Sequence, residues 1–365
     1  MTTTTRRRPR TRLRFGFVDS FLWAVRIGAV AIIGVGLIGS IADTLSGEGI
    51  SGGAWRDLVI TGLSQGSMYG LIALGYSMVY GVLGFINFAH GEVFTAGAIV
   101  GFFVADALAE AGMWTDLPIL AISIVMLTSI TTATLVAVLV ERIAYKPLRG
   151  APRLIPLITS IGMSFFLQYA IRGLFGSNIK SYPQRPTALQ GSVDLFGVPI
   201  GKAQLAVIVV AAVSMVSLYL FINRTKTGRA MRAVAEDKEI AALMGINVNR
   251  TIVTTFAVGG AMAGVAGTLW GLLFRQVFFF TGFLPGVKAF TAAVLGGIGN
   301  IVGAYLGGIS LGLFESVGPN LILAPLGVPA VSQLKDVVAF TALVLVLIFK
   351  PTGLFGERLA VEDRA

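Results

Sequence analysis

Ionisable side chains are scarce in the apolar parts of this sequence, so the few found there are the first candidates for chemistry. His90 is the only histidine, and Glu92 follows it closely. Glu315 lies in another apolar, glycine-rich segment. Such groups are costly in apolar surroundings unless they face protein or a water-filled path, where they serve gating or solute contact. For His90 the alternative is a structural hydrogen bond that fixes the turn between two helices.

Two polar stretches, 84–92 and 296–300, interrupt the apolar pattern in a similar way. We expect Asn87 to cap a helix that begins at Phe88. A helix N-terminus offers free N–H groups and partial positive charge to an anionic group such as a carboxylate, and broken helices of this kind form solute sites in membranes. The residues predicted for a translocation path or gate are Asn87, His90, Glu92, Gly296, Gly297, Gly299 and Asn300.

Residue sets for covalent or metal chemistry do not accompany the histidine. The chain has no cysteine, which excludes disulfides and thiolate metal sites. The nearest approach to a phosphate-binding loop, 197–203, has the wrong spacing and lacks the Ser or Thr that would contact magnesium. The sequence therefore argues against an enzyme, and we expect no cofactor and no metal bound by this chain.

Composition defines the elements that must position these residues. Apolar residues make up 55% of the 365 residues, charged residues 13%, and the mean hydropathy is +0.83. Soluble domains are far less apolar, and the alternation typical of membrane barrels is absent. We predict an all-α polytopic membrane protein with about 8–10 transmembrane helices, some broken or re-entrant. The predicted apolar segments are 21–41, 57–83, 91–110, 118–140, 154–175, 203–222, 251–275, 285–299, 301–323 and 331–349.

Basic residues are unequally distributed over this layout. Nineteen lysines and arginines fall on the side of the two termini and seven on the other. Because basic loops stay in the cytoplasm, both termini are expected there, at the inner membrane. The net charge of +10 fits loops that face anionic lipid better than nucleic acid. The seven on the outer side are Arg56, Lys180, Arg185, Lys202, Arg275, Lys288 and Lys335.

The chain divides into a membrane domain and short flanking regions. Residues 21–41 form a long apolar run without a clear cleavage site, which favours a retained helix over a cleaved signal peptide. The predicted divisions are an Arg-rich cytoplasmic tail (1–20), an N-terminal transmembrane helix (21–41), the transmembrane domain (57–350) and a cytoplasmic C-terminal tail (351–365).

Glycines recur at four-residue spacing, which places them on one helix face. Smooth faces of this kind allow close helix packing within a subunit or between subunits, or they line a solute path. The stripes are Gly62, Gly66 and Gly70; Gly299, Gly303 and Gly307; and Gly308 with Gly312.

The most polar internal stretch, 224–247, is predicted to be one cytoplasmic helix that ends at Gly245, with an ion pair between Arg232 and Glu236. Met231, Val234, Ala235 and Ala242 form an apolar stripe that has no lipid to face. This favours docking onto a partner over a simple solvated helix.

Residues 228–245 resemble the coupling segment that permeases of ABC importers insert into their ATPases. The stretches 62–70, 73–81, 86–92, 282–300 and 350–356 resemble the H-type permease of the high-affinity leucine, isoleucine and valine uptake system. The extra N-terminal helix and the aromatic run at 275–280 depart from that family. The resemblance implies ATPase coupling by Gly228, Arg229, Arg232, Ala235, Glu236, Glu239 and Gly245.

The same resemblance implies an assembly. Its members would be a second, M-type permease, two cytoplasmic ATPases that hold ATP and magnesium, and a periplasmic or lipid-anchored substrate-binding protein. Alternating access driven by the ATPases would move a branched-chain amino acid inward. Urea or short amides are alternative substrates, and an ion-coupled secondary transporter is an alternative class; the latter requires buried carboxylates, for which Glu92 and Glu315 are the candidates.

Overall fold

The computed structural model describes residues 17–46, 49–152, 154–195 and 197–356. Most of the predicted N-terminal tail and the end of the C-terminal tail lie outside these residues. The helices are α1 (Phe17–Ser46), α2 (Gly52–Leu83), α3 (His90–Glu110), α4 (Met113–Asp116), α5 (Pro118–Val140), α6 (Leu154–Phe175), α7 (Lys202–Arg224), α8 (Lys226–Glu236), α9 (Lys238–Leu243), α10 (Val248–Phe274), α11 (Phe283–Gly296), α12 (Ile301–Gly318) and α13 (Lys335–Phe349).

Within the described residues, four short strands form two antiparallel pairs. β1 (Lys180–Ser181) pairs with β4 (Gln276–Val277), and β2 (Ser192–Leu195) pairs with β3 (Val198–Gly201). The first pair joins the segment after α6 to the end of α10. Close to it, the Tyr182 hydroxyl donates to the carbonyl of Ala98 at 2.5 Å and so ties this end to α3.

The predicted all-α membrane fold is confirmed. Nine helices of the described residues are long and apolar enough to span a bilayer. The segment predicted at 285–299 is α11, which has only 14 residues. A helix of that length reaches about 21 Å, against a hydrocarbon core of about 30 Å. α11 is therefore too short to span alone.

The helices divide into a buried centre and an exposed periphery. Of the most apolar stretch of each helix, 72% is buried in α2 and 67% in α10. Only 6% is buried in α1 and in Val331–Phe349, the segment that contains α13. α5, α11 and α12 pack around the centre. The residues predicted for a path lie in or beside this centre, while α1 and α13 present most of their surface outward.

The glycine stripe of α2 faces the glycines of α12. A methyl group on Gly66 would lie 2.7 Å from the carbonyl oxygen of Gly308 and 2.8 Å from the Cα of Ile309. Gly62 meets Gly312 in the same way. The backbones thus touch without intervening side chains, which is the close packing that small residues permit in membranes. These stripes pack within this chain.

We expect Gly66→Ala to destabilise the protein by about 1–3 kcal/mol, because the atoms that the methyl group meets are backbone and cannot rotate away. Gly81→Ala is the matched control, since it lies in the same helix and a Cβ there meets nothing within 4 Å. Thermal unfolding in detergent measures both. Equal melting temperatures for the two variants would contradict the close approach of α2 and α12.

α1 is attached to the rest of the bundle by specific polar contacts. The Ser40 hydroxyl donates to the carbonyl of Leu321 at 2.9 Å, and Arg26 donates to the carbonyl of Ile348 at 3.0 Å. Leu321 lies in a π-helical turn, where the regular backbone bonding of the helix is interrupted. α1 is therefore bonded to the backbone of the turn that follows α12 and to the end of α13.

Candidate functional site

The first helix break separates α2 from α3. Gly84 has φ +77° and ends α2, and α3 begins at His90. The prediction that Asn87 caps a helix starting at Phe88 is wrong. The Asn87 side-chain oxygen accepts from the Tyr145 hydroxyl at 2.6 Å, and its backbone carbonyl accepts from the His90 N–H at 3.1 Å. Asn87 therefore ties the turn to the end of α5 instead of capping α3.

His90 lies inside the bundle, at the start of α3. A Cβ on Gly75 of α2 would be 2.1 Å from its Nε2, so the imidazole fills the notch that this glycine leaves. Gly75 lies about 12 Å along the axis before the end of α2. Because His90 packs at this level, the turn between α2 and α3 folds back into the bundle. The ring of Tyr76 packs edge-on at 5.0 Å, and only 2% of His90 is exposed. These contacts suit a residue that positions the break.

Glu92 lies in the first turn of α3 and points toward α6. Its Oε1 accepts from Gln168 Nε2 at 2.8 Å and lies 3.5 Å from the Ser164 hydroxyl. Ser160, Ser164 and Gln168 are all buried and recur every four residues, so one polar face of α6 is turned inward. The sequence analysis missed this face, although polar residues at helical spacing in an apolar segment were a usable signal.

The second break separates α11 from α12. Gly297 and Gly299 have φ of +103° and +94°, conformations that favour glycine. Asn300 Oδ1 accepts from the N–H of Gly303 at 2.9 Å and caps α12. The N–H of Gly299 donates to the Ser77 hydroxyl of α2 at 2.9 Å. The asparagine cap expected at the first break is thus present at the second.

Both breaks contact neighbouring positions of α2. His90 packs at Gly75 and Gly299 bonds Ser77, while Gly296 packs on Gly303 of α12. The start of α11 also touches the first turn of α3, where a Cβ on Gly91 would lie 2.6 Å from the carbonyl oxygen of Gly282. Two helices therefore begin side by side inside the bundle. Of the predicted path residues, His90 and Gly299 contact α2, whereas Asn87 and Glu92 contact Tyr145 and α6.

A buried ionic cluster joins α11, α12 and α13. Lys288 Nζ lies 2.8 Å from Glu315 Oε1 and 2.7 Å from Asp336 Oδ1. Lys335 is more distant, 3.8 Å from Glu315 and half exposed. Lys288, which was counted on the outer side, lies within α11, and only 3% of it is exposed. Glu315 is therefore compensated by a buried lysine.

The predicted coupling helix is two helices. Asp237 has extended backbone angles (φ −151°, ψ 117°), ends α8, and accepts from the N–H groups of Glu239 and Ile240 to begin α9. Arg232 donates to the side chain of Asn223 at 2.7 Å instead of forming the predicted pair with Glu236. Gly245, with φ +83°, ends the segment as predicted.

The residues predicted for coupling lie on both helices. Gly228 is buried against Ile222, whereas all the others are exposed. The exposed ones are Arg229, Arg232, Ala235, Glu236, Glu239 and Gly245.

The apolar stripe of this segment faces inward in α8 and outward in α9. Met231 and Val234 are 4% and 1% exposed because they pack on the bundle, so the expectation that they stay free for a partner is wrong. In α9 and the residue after it, Ile240, Leu243 and Met244 are 59%, 87% and 78% exposed. These three, here termed the α9 patch, were missed by the sequence analysis.

Comparison with known proteins assigns the family. The family described as "Branched-chain amino acid transport system / permease component" matches residues 58–347. The branched-chain amino acid permease BraD of Pseudomonas aeruginosa is 45% identical over 82% of this chain and 95% of its own length. LivH of Escherichia coli K12 is 42% identical over 82% of this chain and 94% of its own.

More distant similarity extends to an archaeon and to a solved structure. A probable LivH of Methanocaldococcus jannaschii is 28% identical over 78% of this chain and 88% of its own. The PsaBC structure from Streptococcus pneumoniae aligns with 80% of this chain and 91% of its own at a TM-score of 0.42 and 14% identity, which is too remote to support an argument. The family match and the 45% identity are sufficient: this chain belongs to the permease components of branched-chain amino acid transport systems.

Proposed function

We propose that this chain is one of two permeases in an ATP-driven importer of branched-chain amino acids. Its partners are an M-type permease, two cytoplasmic ATPases that bind ATP and magnesium, and a substrate-binding protein on the outer side. The observation that carries the proposal is identity of 42–45% with branched-chain amino acid permeases over nearly their whole length. Urea or short amides remain the alternative substrates.

The ATPases dock on the α9 patch in this proposal. A patch with side chains 59–87% exposed at the end of a membrane bundle is suited to burial against another protein. Arg229, Glu236 and Glu239 of the same segment are also exposed and provide charged groups near it in the sequence. An apolar centre with a polar rim is the usual anatomy of a protein interface.

A continuous set of contacts leads from this surface to the first helix break. Val234 of α8 shares a buried cluster with Val79 and Val82 at the end of α2 and with Tyr145. Tyr145 in turn holds Asn87 by its hydroxyl. Movement of α8 by a docked ATPase therefore displaces the residues that position the break. Such displacement is how ATP binding would switch the path between outward and inward openings.

Both termini and the α8–α9 segment are proposed to be cytoplasmic, with the β2–β3 hairpin outside. Because the natural chain has no cysteine, single cysteines report topology directly. A membrane-impermeant maleimide added to intact cells is expected to label Ser192→Cys but not Thr227→Cys. Thr227→Cys should react only after the membrane is opened. Labelling of Thr227→Cys in intact cells would reverse the orientation.

We also propose that α1 is retained in the mature subunit. Its bonds to Leu321 and Ile348 connect it to the turn that follows α12 and to the end of α13, which are integral parts of the bundle. An N-terminal epitope tag is then expected to remain on the purified protein, and its loss would indicate cleavage.

The experiment that tests the main proposal is purification of the tagged chain from host membranes, followed by uptake in proteoliposomes. Recovery of a second permease and two ATPases, with leucine uptake that requires ATP and the binding protein, is the expected result. Uptake of urea or an amide in place of leucine would change the substrate. A chain that purifies alone and is driven by an ion gradient would overturn the importer.

A further inference from the structure

A basic groove lies where α5 and α10 meet at the α8–α9 end of the bundle. It has a volume of about 300 Å³. Four of the seven residues that line it are cationic, and two of the others are asparagines. The lining residues are Arg142, Lys146, Arg149, Asn247, Asn249, Arg250 and Val253.

Three of the four cations have no acidic partner within the described residues. Arg149 donates to Glu141, which is buried, and to the side chain of Asn249, so its charge is compensated and its guanidinium is fixed. Arg142, Lys146 and Arg250 are exposed and form no ion pair or side-chain hydrogen bond within the part of the chain described. The groove thus holds uncompensated positive charge around one positioned arginine.

The backbone of α5 changes where it enters the groove. Its last turns continue as a π-helix (Glu141–Tyr145) and then a 3₁₀ helix (Lys146–Leu148). These turns carry Arg142 and Lys146, while the buried Glu141 anchors Arg149 from the same segment. The groove is therefore built by a departure from regular helix, not by an accidental gap between straight helices.

An apolar stripe runs along α5 to the edge of the groove. Leu135, Leu139 and Ile143 are all exposed and recur every four residues, so they share one face. Arg142 lies three residues after Leu139, and Lys146 three residues after Ile143, so both cations continue this face. A membrane phospholipid has the same order of chemistry, with acyl chains beside the helix and phosphate at its end. An ATPase surface would cover the cations but has no use for the stripe.

From this arrangement we infer that the groove binds a phospholipid with a net anionic headgroup. The headgroup phosphate lies among Arg142, Lys146 and Arg250, and an acyl chain lies along Leu135, Leu139 and Ile143. The site is independent of the substrate path. The proposed orientation of the chain places the groove at the cytoplasmic leaflet, and the cysteine labelling tests that orientation separately.

The purified chain is tested by native mass spectrometry with phosphatidylglycerol and with phosphatidylcholine. Phosphatidylglycerol is expected to bind more tightly and to raise the melting temperature more. A cation at an anionic lipid surface contributes about fivefold in affinity, so Arg142→Gln with Lys146→Gln should weaken phosphatidylglycerol binding about twenty-five-fold. The matched control is Arg224→Gln with Lys226→Gln, an exposed pair of the same residue types at the same end of the bundle.

Each other outcome overturns the inference. Equal binding and equal stabilisation by the two lipids would remove the preference for anionic headgroups. An equal loss in the control pair would show diffuse attraction rather than a site. Crosslinking of Arg142→Cys to an ATPase in the full assembly, without retained phosphatidylglycerol, would assign the groove to that protein. Because the lipid measurements need neither ATP nor substrate, failure here leaves the importer proposal untouched.

Discussion

Replacing Lys288 with methionine is expected to destabilise the folded protein by about 3–5 kcal/mol. The lysine lies between Glu315 and Asp336, at 2.8 and 2.7 Å, and its side chain is only 4% exposed. Removing it leaves the buried carboxylate of Glu315 without its nearest cation, whereas the carboxylate of Asp336 is 37% exposed and can be hydrated. The measurement is the melting temperature in detergent, with the yield of monodisperse protein as a second reading.

Two further variants distinguish the loss of stability caused by removing the buried lysine from the effect of removing any nearby positive charge. Lys335→Met removes a cation that also approaches Glu315, but from 3.8 Å and with half its side chain exposed, so it should cost less than about 1 kcal/mol. Adding Glu315→Gln to Lys288→Met removes the uncompensated carboxylate and should recover a large part of the loss. A double variant no more stable than Lys288→Met would show that the lysine acts by packing alone.

The ionic cluster also bears on the alternative transport class. An ion-coupled transporter needs a carboxylate that is free to exchange its ion. Glu315 is held by Lys288, and Glu92 accepts from Gln168 at 2.8 Å. Both candidate carboxylates thus have partners in this conformation, and both connect helices. This arrangement favours structural roles over ion exchange for the pair.

The helical membrane fold could be predicted from the sequence because apolar length alone identifies spanning helices. The two helix breaks could also be predicted from the sequence, since Gly84, Gly297 and Asn300 are of residue types that end or begin helices. How far inside the bundle the breaks lie could not be predicted from the sequence. That α3 begins beside Gly75, inside the bundle, depends on contacts with α2 and α10 that no local pattern encodes.

Three errors have distinct physical causes. Asn87 was expected to cap locally, but a tyrosine far along the chain takes its side-chain oxygen. The ion pairs of Lys288 were not predicted, because its two carboxylates lie on other helices. The division at Asp237 was predictable, since aspartate is one of the residues preferred at a helix N-cap. Predicting the contacts of Asn87 and Lys288 required the three-dimensional fold, whereas the division at Asp237 could be predicted from the sequence alone.

The α9 patch, which was not predicted from the sequence, is expected to be essential for ATPase docking. Leu243→Asp with Met244→Asp is expected to abolish ATP-driven uptake and to prevent co-purification of the ATPases. The two side chains are 87% and 78% exposed, so the substitutions disturb nothing inside the chain. Burying a side chain of this size contributes about 1.5–3 kcal/mol, so losing two should weaken docking at least about a hundredfold.

A control with the same added charge distinguishes docking from general damage. Val193→Asp with Leu195→Asp alters exposed apolar residues of β2, outside the membrane bundle, and should leave ATPase co-purification unchanged. Thermal unfolding of the α9 variant must match that of the unchanged chain, because Met231 and Val234, which hold α8 on the bundle, are intact. If the α9 variant retains its ATPases and its uptake, the docking surface is elsewhere on this end of the bundle. If it retains the ATPases but loses uptake, the patch transmits movement without supplying affinity, and the contact route through Val234 to Tyr145 becomes the part to test.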